Sequence, residues 1–242
     1  MDALIDRLPP SWKPLSSPAV INIYSLLVGD ESPHPNFRRF NLLYAGATKV
    51  ARSFDLESVL DSFESEIQLY VAILARRKIF VHAGVVALGG RAILIPGRSF
   101  SGKSTLTAEL VRAGATYYSD EYAVLDERGR VHPYPCPLAL RTADRVEQTK
   151  TPAAALGGQT GIKPLQVGMV VVSQYREGAR WRPRRLSPGQ GALEVLANTV
   201  PARFRPEESL GSVQQAVAGA TILKGHRGEA REVAVSILQA LS

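Results

Sequence analysis

Apolar residues recur along the chain at two spacings, and each spacing predicts a different kind of element. From Asp55 to about Arg77, apolar positions three or four residues apart alternate with acidic ones, which predicts one amphipathic helix capped by Asp55. Shorter apolar runs between residues 20 and 51 flank a polar, proline-containing stretch and predict the strands of a small sheet. The proline- and serine-rich residues 1–17 predict a loop or a packed tail.

The middle of the chain predicts a hairpin that leads into a loop and a helix. Apolar runs at residues 79–88 and 92–95 are joined by two glycines, a link that is typical of a tight hairpin turn. A helix is predicted over residues 103–112, with Gly114 placed to end it.

Further elements alternate between strand and helix patterns through the rest of the chain. They are strands at residues 116–118, 122–125, 167–172 and 221–223, and helices at residues 192–196, 212–218 and 229–241. Because strands alternate with helices but one hairpin interrupts the series, we expect an α/β fold with a mixed sheet flanked by helices. We also expect a small N-terminal α+β subdomain at residues 1–78 and a larger domain at residues 79–242.

The composition of the chain is that of a globular protein. The chain has 242 residues, of which 45% are hydrophobic, and its 20 glycines and 16 prolines follow no period, as in globular proteins. No apolar stretch reaches the roughly 18 residues of a membrane span, and the first residues lack a signal-peptide pattern. We therefore expect a cytoplasmic protein with no membrane partner. The single Cys136 has no disulfide partner in the chain and favours a structural role.

The net charge is +7, and five arginines lie close together in the sequence. They are Arg176, Arg180, Arg182, Arg184 and Arg185. Nucleic-acid binding is not favoured, because no zinc-finger, homeodomain or RNA-recognition pattern accompanies them. Residues 175–186 are interpreted as a solvated hairpin that turns at Glu177-Gly178 and keeps the protein soluble, with an acidic acceptor as the alternative ligand.

Residues 97–104 read Gly-Arg-Ser-Phe-Ser-Gly-Lys-Ser and match the G-x-x-x-x-G-K-[ST] phosphate-loop pattern at every fixed position. A strand precedes this loop and a helix follows it, an arrangement that points backbone N–H groups and a helix N-terminus at an anion. The pattern therefore predicts binding of ATP with Mg²⁺. A flexible glycine loop is the alternative.

Each position of the loop has a physical task. Gly97 and Gly102 let the backbone turn and approach phosphate oxygens, Lys103 reaches the β- and γ-phosphates, and the Ser104 hydroxyl is placed to bind Mg²⁺. Thr105 either packs in the helix or adds an α-phosphate contact. The residues predicted to contact the nucleotide are Gly97, Arg98, Ser99, Phe100, Ser101, Gly102, Lys103, Ser104 and Thr105.

Two adjacent carboxylates, Asp120 and Glu121, follow the predicted strand at residues 116–118. The carboxyl end of a strand in an open sheet is the edge where ligands bind. A carboxylate there can hold Mg²⁺ or accept a proton from an attacking hydroxyl. The alternative is a simple turn between two strands. His82, alone in its strand, is interpreted from the pattern as a structural residue more readily than as a catalyst.

Taken in order, the run Val81-His82-Ala83-Gly84, the hairpin, the loop at residues 97–104 and Ser119-Asp120-Glu121 resemble the catalytic domain of HPr kinase/phosphorylase and its shorter kinase relatives. The resemblance covers about residues 79–141. It implies a P-loop kinase core similar to phosphoenolpyruvate carboxykinase, with ATP and Mg²⁺ as cofactors and residues 79–242 as the catalytic domain.

The same resemblance implies a role for each matching residue. Lys103 would hold the β- and γ-phosphates, Ser104 would hold Mg²⁺, and Asp120 would take the proton of a serine hydroxyl. Glu121 would assist the metal or the base, and His82 would belong to the active site. The implied catalytic residues are thus Asp120, Lys103, His82 and Glu121, and the implied metal ligands are Ser104, Asp120 and Glu121.

The chain also departs from that family. It has Asp-Glu where the family has Asp-Asp, and Ala83 separates His82 from Gly84 where the family has an adjacent His-Gly pair. The family's Arg-Gly-x-Gly segment after the acidic strand is absent. The resemblance therefore favours a related ATP-dependent serine kinase with a different acceptor, a peptide or small protein, as in the kinases that modify ribosomal peptides such as lasso peptides. Three alternatives stay open: an ATP-binding regulatory module, a small-molecule hydroxyl kinase, and a carboxykinase-like enzyme. A homo-oligomer is compatible with the sequence.

Overall fold

The computed structural model of the protein describes residues 2–17, 19–29, 39–98, 101–141 and 148–241. The chain divides into two compact units, Met1–Val71 and Ala72–Ser242. Across the part of the chain that the structure describes, no helix has the length and apolar character needed to cross a membrane.

The first unit combines a short helix, a three-stranded antiparallel sheet and most of a long helix. Its elements are α1 (Asp2–Ile5), β1 (Tyr24–Leu27), β2 (Asn41–Ala45), β3 (Thr48–Ser53) and α2 (Leu56–Leu74). Of the two alternatives for residues 1–17, the packed tail agrees with the structure, in which Leu4 and Leu8 pack against a small core around Leu43 and Phe63. The segment also contains the short helix α1, which the proline- and serine-rich pattern did not predict. Burial of these leucines orders the segment despite its prolines.

A helix cap and a group of three salt bridges fix α2 in the first unit. The Asp55 carboxylate accepts a hydrogen bond from the Ser58 backbone N–H at 2.9 Å, which confirms the predicted cap. Arg7 forms salt bridges to Glu57 at 2.5 Å, to Asp61 at 2.5 Å and to Glu64 at 3.1 Å, all on one side of the helix. The acidic residues of the amphipathic pattern therefore hold the N-terminal segment.

The second unit contains the remaining strands and α-helices. They are β4 (Ile79–Leu88), β5 (Arg91–Pro96), α3 (Lys103–Arg112), β6 (Thr116–Ser119), β7 (Tyr122–Leu125), β8 (Val131–His132), β9 (Leu138–Arg141), β10 (Gln148–Thr151), β11 (Val167–Tyr175), β12 (Arg184–Arg185), α4 (Pro188–Leu196), α5 (Pro206–Val217), β13 (Thr221–Arg227) and α6 (Ala230–Gln239). The predicted hairpin is confirmed: β4 and β5 pair antiparallel, and Gly89 and Gly90 both have positive φ, at 56° and 76°.

Eight of the described strands form one mixed sheet. Its order is β12-β13-β11-β5-β4-β7-β8, and β6 also pairs with β4. β5, β11 and β13 run parallel, while β4 is antiparallel to its neighbours. The expectation of a mixed sheet flanked by helices is therefore confirmed.

Helices cover both faces of this sheet. Successive residues of a strand point to opposite faces, so Leu94 packs in the cluster that includes α4 and α5, while Ile93 packs in the cluster that includes α3 and α6. This burial on both faces explains why the central strands read as continuous apolar runs.

The expected hairpin at residues 175–186 is wrong. The chain does turn at Gly178, whose φ is 69°. The returning segment does not pair with β11, however, because β12 pairs antiparallel with β13 on the far side from β11. β11 already has β13 on one side and β5 on the other, so it offers no free edge to a returning strand. The arginine-rich segment therefore ends in the outermost strand of the sheet.

Helix α3 approaches β4 at Gly84, where the strand has no side chain. A Cβ at this position would lie 2.2 Å from Thr107 Oγ1 and 3.3 Å from Lys103 Cγ. Thr107 is fully buried and its hydroxyl donates to the Lys103 carbonyl at 3.0 Å, so it has little room to move. A glycine at position 84 is therefore required for this distance between helix and strand.

We expect Gly84→Ala to lower the free energy of unfolding by about 1–3 kcal/mol, because the new methyl group overlaps Thr107. Adding Thr107→Ala removes the overlapping atoms, so the double variant should lose less stability than the sum of the single variants. Urea unfolding of all four proteins measures this coupling.

Gly211→Ala is the matched control, because Gly211 lies within α5 with open space around its Cβ position. This change should be neutral or stabilising by up to about 1 kcal/mol. Equal stability of Gly84→Ala and Gly211→Ala would show that α3 does not depend on the glycine.

Candidate functional site

The predicted phosphate loop connects the end of β5 at Pro96 to the start of α3 at Lys103. Gly102 caps the helix with φ 81°, a left-handed conformation that favours glycine. At Gly97 a Cβ would lie 2.7 Å from Ser101 Oγ, so the loop folds closely on itself. Ser99 and Phe100, also predicted to contact the nucleotide, lie outside the described residues.

The acidic pair lies in a turn directly across β4 from this loop. β4 pairs with β7 over its first residues and with β6 over its last ones, and the chain turns between β6 and β7 at Asp120 and Glu121. Ser119 Oγ accepts a hydrogen bond from the Tyr122 N–H at 3.2 Å and closes the turn. The carboxyl ends of β5 and β6 therefore lie at the same edge of the sheet.

Lys103 joins the loop to the acidic turn. Its side chain passes over β4 at Gly84, and Nζ donates a hydrogen bond to the Asp120 backbone carbonyl at 2.5 Å. Only 7% of Lys103 is exposed. The structure thus brings together a lysine and a carboxylate from two predicted groups that are 17 residues apart.

The two carboxylates of the turn have different surroundings. Asp120 is 3% exposed, and its Oδ1 has no hydrogen-bond partner among the described residues. A buried carboxylate oxygen without a partner costs free energy unless a ligand or metal ion satisfies it. Glu121 is partly exposed and pairs with His82. Asp120 is therefore the carboxylate left available for chemistry.

His82 connects the phosphate loop to Glu121 through its two ring nitrogens. Nδ1 lies 2.8 Å from the Gly97 carbonyl oxygen, and Nε2 lies 2.9 Å from Glu121 Oε1. Both partners accept hydrogen bonds, so both contacts are satisfied at once when each ring nitrogen carries a proton. The structure therefore places His82 between the phosphate loop and the acidic turn.

The surroundings of Glu121 set its ionisation. Burial raises the pKa of the Glu121 carboxyl, but the hydrogen bond and charge of His82, together with the charge of Lys103, outweigh burial and hold the pKa below its ordinary value. The Glu121 carboxyl is thus held in its ionised form.

A buried arginine that the sequence did not indicate also contacts the loop. Arg227, at the end of β13, is 1% exposed, and its Nη2 donates to the Gly102 carbonyl at 2.6 Å. The sequence pattern predicted a strand only to residue 223, and nothing in the spacing links residues 102 and 227. Parallel pairing of β13 with β11, itself beside β5, places the arginine here.

The other predicted nucleotide contacts lie at the start of α3 and around it. Ser104 is partly exposed in the first helical turn, and Thr105 and Arg98 are exposed. Ser101 donates its backbone N–H to the Arg98 carbonyl at 3.3 Å, within the loop itself.

A cleft with a volume of about 880 Å³ lies elsewhere in the second unit. Its lining includes apolar residues such as Leu74 and Phe204 and charged residues such as Arg76, Arg77 and Glu208. None of the predicted site residues lines it. A nucleotide at the phosphate loop would therefore sit on the edge of the sheet and not in this cleft.

The chain matches no protein-family model and no curated protein. Among solved structures it is similar to the HPr(Ser) kinase/phosphatase from Coxiella burnetii, at 13% identity and a TM-score of 0.36. The alignment covers 66% of this chain and 91% of that chain. A likeness at this level establishes neither fold nor function.

We expect His82→Gln to raise the pKa of Glu121, because burial still raises this pKa while the charge contribution of the histidine, which lowers it, is lost. In the native protein the pair stabilises the fold above the ordinary carboxyl pKa, and this contribution disappears as acid protonates Glu121. NMR titration of the glutamate carboxyl carbons measures the change.

His132→Gln is the matched control, because His132 pairs with Asp126 and not with Glu121. The pKa of Glu121 in the His132→Gln variant should equal the pKa of Glu121 in the wild type. An unchanged Glu121 pKa in His82→Gln would contradict the ion pair.

Proposed function

We propose that this protein is a kinase that transfers the γ-phosphoryl group of Mg·ATP to a hydroxyl group, with serine of a peptide or small protein as the acceptor. The observation that carries the proposal is the hydrogen bond between Lys103 Nζ and the Asp120 carbonyl. It brings a phosphate-loop lysine next to a buried carboxylate whose Oδ1 has no described partner. Either feature alone has a structural explanation, but phosphoryl transfer needs both in one place.

In this proposal the loop binds the phosphates. Backbone N–H groups at the N-terminus of α3 face the anion, and Lys103 exchanges the Asp120 carbonyl for phosphate oxygens when the nucleotide arrives. Since the lysine is already extended and buried, this exchange needs only a small movement. Catalysis would then depend on positioning and on neutralising charge, as is usual for phosphoryl transfer.

Asp120 would act as the base. It accepts the proton of the acceptor hydroxyl, while that oxygen forms a bond to the γ-phosphorus and the bond from phosphorus to the ADP oxygen breaks. Glu121 is less suited to this task, because its carboxylate is bound to His82. His82 would instead hold the turn against the loop through Gly97 and Glu121.

The residues present fit a magnesium ion. Mg²⁺ keeps several of its waters and needs only one or two protein oxygens together with phosphate oxygens. Ser104 and Asp120 are the side chains that would hold it, and the unpartnered Oδ1 of Asp120 is the observation that supports this. Among the described residues, no three histidine, cysteine, aspartate or glutamate side chains form a preassembled metal cluster. When bound, the ion would neutralise charge on the phosphates.

One observation favours a second candidate, an ATP-binding regulatory module. Nucleotide binding must break the hydrogen bond between Lys103 and the Asp120 carbonyl, so the acidic turn would respond to the nucleotide even without phosphoryl transfer. The output would then be a change in affinity for a partner. The choice of serine as acceptor follows from the sequence resemblance and belongs to the first candidate only.

The test is mass spectrometry of peptides encoded beside this protein's gene after incubation with the protein and Mg·ATP. We expect the wild type to add one phosphate to a serine. Lys103→Ala should lose nucleotide binding and transfer together. Asp120→Asn should bind ATP without Mg²⁺ as the wild type does and lose about a hundredfold or more in transfer rate, because it can neither take the proton nor offer a charged oxygen to Mg²⁺.

Glu127→Gln is the control, since it removes an exposed carboxylate in the turn after β7. It should transfer phosphate at the wild-type rate, and circular dichroism checks that each variant is folded. Tight nucleotide binding with no phosphorylated product, and an Asp120→Asn variant that binds partners as the wild type does, would replace the kinase by the regulatory module.

A further inference from the structure

Arg227 is a buried cation whose hydrogen bonds to described residues go only to backbone carbonyls. Nη2 donates to Gly102 at 2.6 Å and Nη1 donates to Gly228 at 2.9 Å. Its Nε is buried and has no partner among the described residues, and no described carboxylate forms a salt bridge with it. The guanidinium is therefore enclosed, and no carboxylate in the described part of the chain is bound to it.

This arrangement is unfavourable for the protein alone. Burial lowers the pKa of Arg227, and the carboxylate of Glu229 offsets this only partly and from a distance. That carboxylate accepts a hydrogen bond from the Tyr175 hydroxyl at 3.1 Å instead. An uncompensated buried charge is costly, so its presence calls for an anion that is supplied from outside the chain.

The position of Arg227 suggests which anion this is. Its guanidinium lies against the last residue of the loop, and a Cβ on Gly102 would stand 2.5 Å from Nη2. The same glycine begins α3, whose N-terminus is the predicted phosphate site. Gly102 is therefore needed for the left-handed turn and also for the approach of the arginine.

The hydrogen bond also orients the peptide group that follows Gly102. The Gly102 carbonyl accepts from Arg227 and from the Leu106 N–H at 3.1 Å. In a trans peptide the carbonyl and the next N–H point in opposite directions, and no described peptide bond is cis. Holding this carbonyl on the helix side therefore directs the Lys103 N–H outward from the helix N-terminus, toward the loop.

We propose that Arg227 is a positioning residue of the phosphate loop, which fixes the peptide group between Gly102 and Lys103 and whose buried charge is balanced by the phosphates of a bound nucleotide. The inference rests on the proposed nucleotide binding and adds a residue to it. Arg227 acts through the loop backbone, so it affects nucleotide affinity and not proton transfer.

The experiment compares the affinities of wild type, Arg227→Met and Arg227→Lys for Mg·ADP by isothermal titration calorimetry. Methionine fills similar space without charge, and lysine keeps the charge but loses the planar fork. We expect a loss of about tenfold to a hundredfold for Arg227→Met and a smaller loss for Arg227→Lys. In peptide phosphorylation, KM for ATP should rise much more than kcat falls.

Thermal unfolding of the variants without nucleotide shows whether Arg227 positions the loop or supports the fold. Arg227→Met should be as stable as the wild type or more stable, because an apolar side chain replaces a buried charge. Arg176→Met is the matched control, since it removes an exposed arginine next to Tyr175, and it should bind Mg·ADP as the wild type does.

The outcomes distinguish this inference from the proposed function. A folded Arg227→Met with wild-type affinity for Mg·ADP overturns the inference and leaves the kinase proposal standing. Absence of Mg·ADP and Mg·ATP binding by the wild type overturns both. Failure of both Arg227 variants to fold assigns the arginine a structural role and overturns the inference.

Discussion

The passage of the Lys103 side chain over β4 is the contact on which the site depends. The loop follows β5 and the acidic turn follows β6, and β4 lies between them in the sheet. Any side chain at Gly84 would occupy the path of the lysine and push α3 away from the strand. A single missing Cβ thus sets the separation of helix and sheet and allows two distant segments to share one edge.

Much of the fold is predictable from local pattern. The amphipathic pattern predicted helix α2 with its Asp55 cap, and the two glycines between apolar runs predicted the hairpin. Both predictions succeed because a capped helix and a two-residue turn depend on neighbouring residues only. The pairing of β12 with β13 was not predictable in this way, since it depends on which strand edges are already occupied. The helix α1 likewise forms through tertiary burial in a proline-rich segment.

In the candidate site, too, the features formed by neighbouring residues were predictable, and those formed by contacts between distant residues were not. The phosphate-loop spacing and the acidic pair are visible in the sequence, because each is a run of neighbours. The difference between the two acids cannot be predicted from the sequence, because adjacent residues of a turn face different surroundings. Glu121 pairs with His82, whereas Asp120 is buried and its Oδ1 has no described partner. The contact of Arg227 with the loop could not be predicted from the sequence at all. An arginine after an apolar strand is an ordinary surface pattern, and only the three-dimensional neighbourhood of Gly102 distinguishes it.

The bond between Gly102 and Arg227 spans 125 residues of chain, which has a consequence for the order of events during synthesis. A ribosome adds about 5–20 residues per second, so the loop is made roughly ten seconds before its arginine. β13 must also join the sheet as a parallel strand, a non-local pairing that forms slowly. The loop therefore reaches its final geometry late, and a nascent chain carries the loop sequence well before it carries the finished loop.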